Sequence, residues 1–454
     1  MTAPASRPRP ARRALDELSL PVDASLLDRL TPGEPDWLIA DRRAAFEAWE
    51  RLPGESNLLY TPYIDLRAAQ LEDATIVVDA PSGSIDTEST GLPADADAII
   101  EITEGRVTTL ALSHGATGVQ LRPLTDDLDA VRDELLAADA LIPDDKFAQL
   151  TRALWSQGVL VDVPAGVTLD KPIVIRWSLG SPGRALLTRT IVRLGAGASA
   201  SIVEEFVPSE DADETAAQSF FAGTMEVTLG EGASLQIASL QELPPTVVAI
   251  QHRAASLGEA ATLQWALAQL GGRLVRSRVD NRLVGDRSSV RQVEIVFGAE
   301  QQLFDLTSYT THIGKDTTGD LLSKAALLEK ARTYLKGLIT IERSANGTDS
   351  FLGEFGMNLS KDARSVAIPS LEIDQPDCRR AAHSSSVGPI DETQLFYLES
   401  RGIPPDEARK FIVLGFLEPV VARVPLASAQ DRLRELLEDK WTAGTDGIAG
   451  EAAA

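Results

Sequence analysis

The chain has 454 residues and 44% hydrophobic content, enough to bury a core spread over two or three domains. Its 67 acidic residues outnumber the 43 basic ones, and the formal charge of −24 argues against non-specific binding to nucleic acid or anionic membranes. A single cysteine, Cys378, excludes a disulfide scaffold and any all-cysteine metal site within one chain.

The start, MTAPASRPRPARRALDEL, is rich in Arg and Pro and has no apolar run, which predicts a short disordered tail rather than a secretory signal. Apolar residues at helical spacing predict helices in LDELSL and in PDWLIADRRAAFEAWERL, the second stopped by Pro53-Gly54. Short strands follow in ATIVVDA, AIIEITE, RVTTLAL and GVQLRPL, then helical pieces in DDLDAVRDELLAADAL and DDKFAQLTRALWSQG. From Gly158 the texture is strand after strand, with turns that resemble one another: VRLGAGASASI, VTLGEGASLQI, ASLGEAATLQW, NRLVGDRSSVRQ and MNLSKDARSVAI. The leucines ahead of the first four turns, Leu194, Leu229, Leu257 and Leu283, recur at intervals of 35, 28 and 26 residues and are expected to point inward. Loose sequential repeats with small turn residues suit either stacked coils or a large sandwich. Hairpin dipeptides such as Asn-Gly are nearly absent, Asn346-Gly347 being the one Asn-Gly, so a parallel β-helix is favoured.

After His383 the pattern turns helical. Asp391 is placed to cap ETQLFYLESR, Gly402 to stop it, and Pro404-Pro405 to open DEARKFIVLGFLEPVV; LASAQDRLRELLEDKW is a third helix. The end, TAGTDGIAGEAAA, is expected to be disordered. The expected fold is mainly β, a parallel β-helix over 151–383 between an N-terminal helical and α/β region, 1–150, and C-terminal helices, 384–454. No run of 18 apolar residues predicts a membrane span, and the lack of disulfides fits the cytosol.

Familiar chemistry is scarce. Gly314-Lys315-Asp316-Thr317 lacks the upstream glycine and Lys-Ser/Thr step of a Walker A loop, and neither Gly-x-Ser-x-Gly nor His-Glu-x-x-His occurs. The four histidines are scattered; His114 falls in a turn, and His252 and His312 read as satisfied polar positions in strands. His383 stands at the expected end of a strand, with Ser384 to Ser386 as a small-residue turn. Alternation along that strand sets Cys378 and His383 on opposite faces and makes the cysteine a buried, inert one. A β-helix enzyme or surface protein acting on polysaccharide is the alternative from another class, disfavoured by 5% aromatic content and no secretory signal.

The stretch from His383 through VGPIDETQLFYLESRGIPPDEARKFIVLGF resembles the signature of the SufB/SufD family, and DDKFAQLTRALWSQGVLVDVPAGVTLDKPIVI, residues 144 to 175, resembles that family's lead into its core. The resemblance covers roughly residues 140 to 420. It implies a right-handed parallel β-helix and a non-enzymatic, cytoplasmic scaffold for iron–sulfur cluster assembly. The implied partners are a SufC-like ABC ATPase, docked on the helices after His383, and a SufB-like paralogue, or a second copy, joined through the β-helix. No nucleic acid or membrane partner is implied. The cysteine of SufB-type members falls near Glu354, and the cysteine often found in SufD-type members falls at Ala381, so a SufD-like role is favoured and a direct sulfur role is doubtful. In this setting His383 becomes an interface candidate, an imidazole shared with a partner around a nascent cluster. The isolated chain is expected to hold no cofactor, the cluster being transient in the complex. Gln394, Leu395, Phe396, Tyr397, Phe411 and Phe416 are the expected ATPase-docking residues, aromatic anchors with polar tips among them.

Overall fold

The computed structural model describes residues 14–55, 65–78, 92–136, 141–213, 215–424 and 427–452. Pro35, extended, leads into α2 (Asp36–Arg51), preceded by the short α1 (Ser25–Leu30). LDELSL, expected as a helix, is irregular instead, too short to nucleate one before Pro21. Strands β1 (Thr75–Ile76), β2 (Ala98–Thr103), β3 (Arg106–Leu112) and β4 (Gln120–Pro123) follow, then α3 (Arg132–Leu136) and α4 (Lys146–Leu154). The expected strand ATIVVDA is paired only at Thr75–Ile76, and its last residues, like the expected disordered N-terminal tail, lie outside the described residues. Asp145 caps α4 by accepting from the Ala148 N–H at 2.8 Å. Its other oxygen accepts from Arg276 at 2.9 Å and Arg278 at 3.1 Å. Burial opposes ionisation here, but the two guanidiniums hold the carboxyl well below the usual range.

One sheet of the core is built from β5 (Gln157–Val163), β7 (Arg184–Leu194), β9 (Ser219–Leu229), β11 (Val247–Leu257), β13 (Leu274–Leu283), β15 (Leu303–His312), β17 (Arg332–Ile341) and β19 (Arg364–Ile373). The other takes the alternate strands, β6 (Ile173–Leu179), β8 (Ser199–Pro208), β10 (Ser234–Gln241), β12 (Thr262–Gln269), β14 (Ser289–Gly298), β16 (Thr318–Leu327), β18 (Asp349–Asn358) and β20 (Arg380–Gly388). All these pairings are parallel, giving a β-solenoid of about eight turns, the expected β-helix. Leu194, Leu229, Leu257 and Leu283 are register neighbours, 0–3% exposed, and line the interior as expected. Truncating one to Ala in such a packed interior costs about 2–5 kcal/mol.

The shared turns have a cause. Gly197, Gly232, Ala260, Arg287, Asp316 and Gly347 all adopt positive φ, and each N–H donates at 2.8 Å to a carbonyl of the next coil, ending at Asp377. This corner ladder bends the chain and fixes the coil spacing together; Asn346-Gly347 serves it and makes no hairpin. MNLSKDARSVAI, read as a fifth copy, joins β18 to β19 and so lies at the opposite corner. The leucine file continues through His312 to Ile341 and Ile373. His312 fits because Nδ1 meets Thr317 Oγ1 at 2.8 Å and Nε2 meets Ser350 Oγ at 3.0 Å, and burial lowers its pKa to about 4.

The outer face of the first sheet is covered by α1, α2 and α4 through Leu27, Phe46, Phe147 and Leu150. The other sheet is covered by α6 (Pro405–Val421) and α7 (Ala427–Ala452), reached from α5 (Glu392–Ser400); Val413, Leu417, Leu433 and Leu437 pack on Ala266, Val293, Phe297 and Ala326. Strands buried on both faces read as near-continuous apolar runs. The C-terminal end, expected to be disordered, is helical as far as Ala452. Among the described residues no helix is long and apolar enough to cross a membrane.

Candidate functional site

Among the described residues, nothing covers the last coil. No residue of β19 or β20 is buried, and each strand pairs on one side only, β19 with β17 and β20 with β18. Each therefore offers a free row of backbone donors and acceptors. Ile373 and Val387 stand 44% and 41% exposed at this end, where a further coil would bury them.

His383 lies within this edge. It sits in the middle of β20 rather than at a strand's end, and Ser384 to Ser386 continue the strand instead of turning. The β18 ladder holds them extended out to Gly388. His383 is aligned with Leu352 and Ser385 with Glu354, both buried, so the pleat directs His383 and Ser385 along the interior files. They remain exposed because no coil follows. Cys378 precedes the strand, so alternation does not extend to it; half-buried, it packs with Leu371 and Ala381 against one cluster. The expected opposition of Cys378 and His383 across a strand is thereby corrected.

Glu354 is 1% exposed one strand inside the edge. One oxygen accepts from the Ile368 N–H of β19 at 2.9 Å, and burial pushes its pKa up to about 8. Glu354, the position expected from the resemblance to match the cysteine of SufB-type members, thus carries a carboxyl that favours its protonated form. Among the described residues no three His, Cys, Asp or Glu side chains converge as a metal-holding group.

The helices beyond the edge separate the docking candidates. Asp391 caps α5 through the Thr393 N–H at 2.8 Å, and Gly402 follows at φ 86°. No residue of α5 is buried. Phe396, Tyr397 and Phe411 are 71%, 56% and 55% exposed, Gln394 is exposed and Leu395 half-buried. Phe416 differs: it packs into the cluster beneath α6, and Lys324 lies 4.5 Å over its ring and donates to its carbonyl at 2.6 Å. Its ring is an anchor for α6 on the solenoid, drawn inward by β16.

The interior holds polar groups that motif searching passed over. Arg253 donates to Glu204 at 2.8 Å and to Ser239 at 2.9 Å, and Glu294 accepts from Ser277 at 3.0 Å. Only the coil register reveals them: Ser239 aligns with Glu204, Ser323 with Glu294, and Glu354 with Ser323.

A family model for the SufBD core domain of SUF-system FeS cluster assembly matches residues 178–416. The chain is 28% identical over 313 residues to the iron-sulfur cluster assembly protein SufD of Bacillus subtilis strain 168, covering 69% of this chain and 70% of that protein. It is 27% identical over 301 residues to an iron-sulfur cluster assembly SufBD family protein of Staphylococcus epidermidis strain ATCC 12228, covering 66% of this chain and 64% of that one. A Staphylococcus aureus strain USA300 member of the same description is 26% identical over 291 residues, 64% of this chain and 62% of its own. The staphylococcal alignments thus span less than two thirds of those proteins. The family model covers more than half of the chain, and the chain belongs to the SufBD core family of SUF-system iron–sulfur cluster assembly proteins.

Proposed function

We propose that this chain is a SufD-like, non-catalytic scaffold subunit that works in a cytoplasmic complex. In this reading the free edges of β19 and β20 pair with a SufB-like paralogue or a second copy. The nascent iron–sulfur cluster, the cargo of the complex, forms where the two meet. His383 offers a neutral imidazole to it, and the partner supplies the remaining ligands, since this chain has one cysteine. An ABC-type ATPase docks on α5 and the exposed end of α6 through Phe396, Tyr397 and Phe411, with Gln394 and Leu395 at the rim.

The observation that carries the reading is the uncovered last coil, with an exposed histidine in the middle of its free strand. A solenoid left open at one end aggregates unless something closes it. His383→Ala is expected to leave the melting temperature unchanged and to lower the cluster yield of the reconstituted complex. Unchanged yield, measured by anaerobic absorbance and iron content, would reduce His383 to a surface residue.

A further inference from the structure

Several surface cations of this acidic chain are held in ion pairs: Arg287 with Glu259 at 2.5 Å, Arg380 with Asp349 at 2.6 Å, Arg434 with Glu418 at 2.8 Å. A groove of about 880 Å³ along the solenoid gathers cations of which most have no such partner among the described residues. One wall is the segment 65–72, where Arg67 and Asp65 already pair at 2.8 Å. The other wall is laid down coil by coil: Arg273 precedes β13, Lys330 precedes β17, Arg332 opens β17 and Arg364 opens β19. Glu72 and Asp362 also line the groove, so five cations face three carboxylates.

Arg332 and Arg364 are direct register partners, which sets their backbones about 4.8 Å apart. Like charges in that relation repel. Among the described residues the side chains of Lys330, Arg332 and Arg364 make no ion pair of their own, and Arg332 feels Asp65 only at longer range. Arg273 spends one donor on the Gln301 carbonyl. A chain with a net charge of −24 thus stacks arginines that make no direct ion pair, among the described residues, against a concavity in which cations outnumber carboxylates.

We propose that this groove binds the diphosphate or triphosphate group of a small molecule. Guanidinium forks take phosphate oxygens in pairs. The coil repeat presents the second fork about one strand spacing from the first, where a linked phosphate carries its charge. A lone carboxylate would satisfy one arginine and leave its neighbour repelled. The groove's size lies within the range of about 300–1,000 Å³ usual for small-molecule sites. Among the described residues the lining is polar and charged apart from Ala68 and Leu303, which suits recognition through the phosphates.

Isothermal titration of the full chain with sodium pyrophosphate and tripolyphosphate at low salt tests this, with citrate as a carboxylate of comparable charge. Saturable binding of one tripolyphosphate per chain is expected, with citrate about tenfold weaker or more. The double variant Arg332→Gln with Arg364→Gln should lose binding by a similar factor or more while its melting temperature holds. Should that variant fold poorly, Lys330→Gln, in an exposed turn, is expected to weaken binding several-fold. No saturable binding of either phosphate, citrate binding as tightly, or variants that bind like the parent would each overturn the proposal.

Discussion

Glu294 points into the solenoid from β14 and is fully buried; one oxygen accepts from Ser277, and the other finds no hydrogen-bond partner among the described residues. Burial pushes its pKa up to about 7 from an ordinary 4.5. The folded chain therefore holds a proton that the unfolded chain releases above about 4.5, so this residue's contribution is complete below that pH and is lost as pH rises through about 7. At roughly 1.4 kcal/mol per pH unit the loss is on the order of 3 kcal/mol. Glu294→Gln should remove its share of that decline and leave the protein more stable than the parent at pH 8, as denaturant melts at pH 5 and pH 8 will show. Glu354 acts with the same sign toward about pH 8, so the double change with Glu354→Gln removes the share of both carboxyls from the slope. The run VRQVEIVF gave no hint of this. Its outward residues Val293, Ile295 and Phe297 are the more apolar set because C-terminal helices cover them, so alternation points to the wrong face as the interior. His312 shows the opposite case, since it falls in the leucine file whose spacing was readable.

Strands and turns were legible where one residue type recurred at one corner, as with the four leucine turns. The alternate corner was not, because MNLSKDARSVAI has similar small and polar residues without sharing the ladder. For the same reason β20 seemed to end early: three serines resemble a turn until the register with β18 is known. The helices show how an apolar surplus divides between packing and exposure. Phe416→Ala should destabilise the chain by about 1–3 kcal/mol, because the half-buried ring packs beneath α6 beside Lys324. Phe396→Ala with Phe411→Ala should change stability by less than about 1 kcal/mol and instead abolish co-purification of the ATPase. A calorimetric scan and a pull-down on the same two samples separate the roles; early melting of the second variant would mean that α5 and α6 only cap the core.

Among the described residues the molecule has two covered sheet faces and one open end. Helices cover the outer faces of both sheets, while β19 and β20 keep free edges flanked by Ile373 and Val387. Replacing both apolar residues with lysine should leave the coils folded and the chain monomeric in light scattering, yet prevent stable association with the paralogue or with itself. Persistent association would move that contact to another surface. The corner ladder carries a kinetic consequence as well. Its hydrogen bonds join residues only about 30 positions apart, a short separation for a β fold, and a low contact order favours fast folding. Such a core need not wait for distant strands to meet. As the chain leaves the ribosome at roughly 5–20 residues per second, each coil finds its template within a few seconds of emerging. The growing edge is renewed with every coil, and the edge still unpaired when synthesis stops is the one that carries His383.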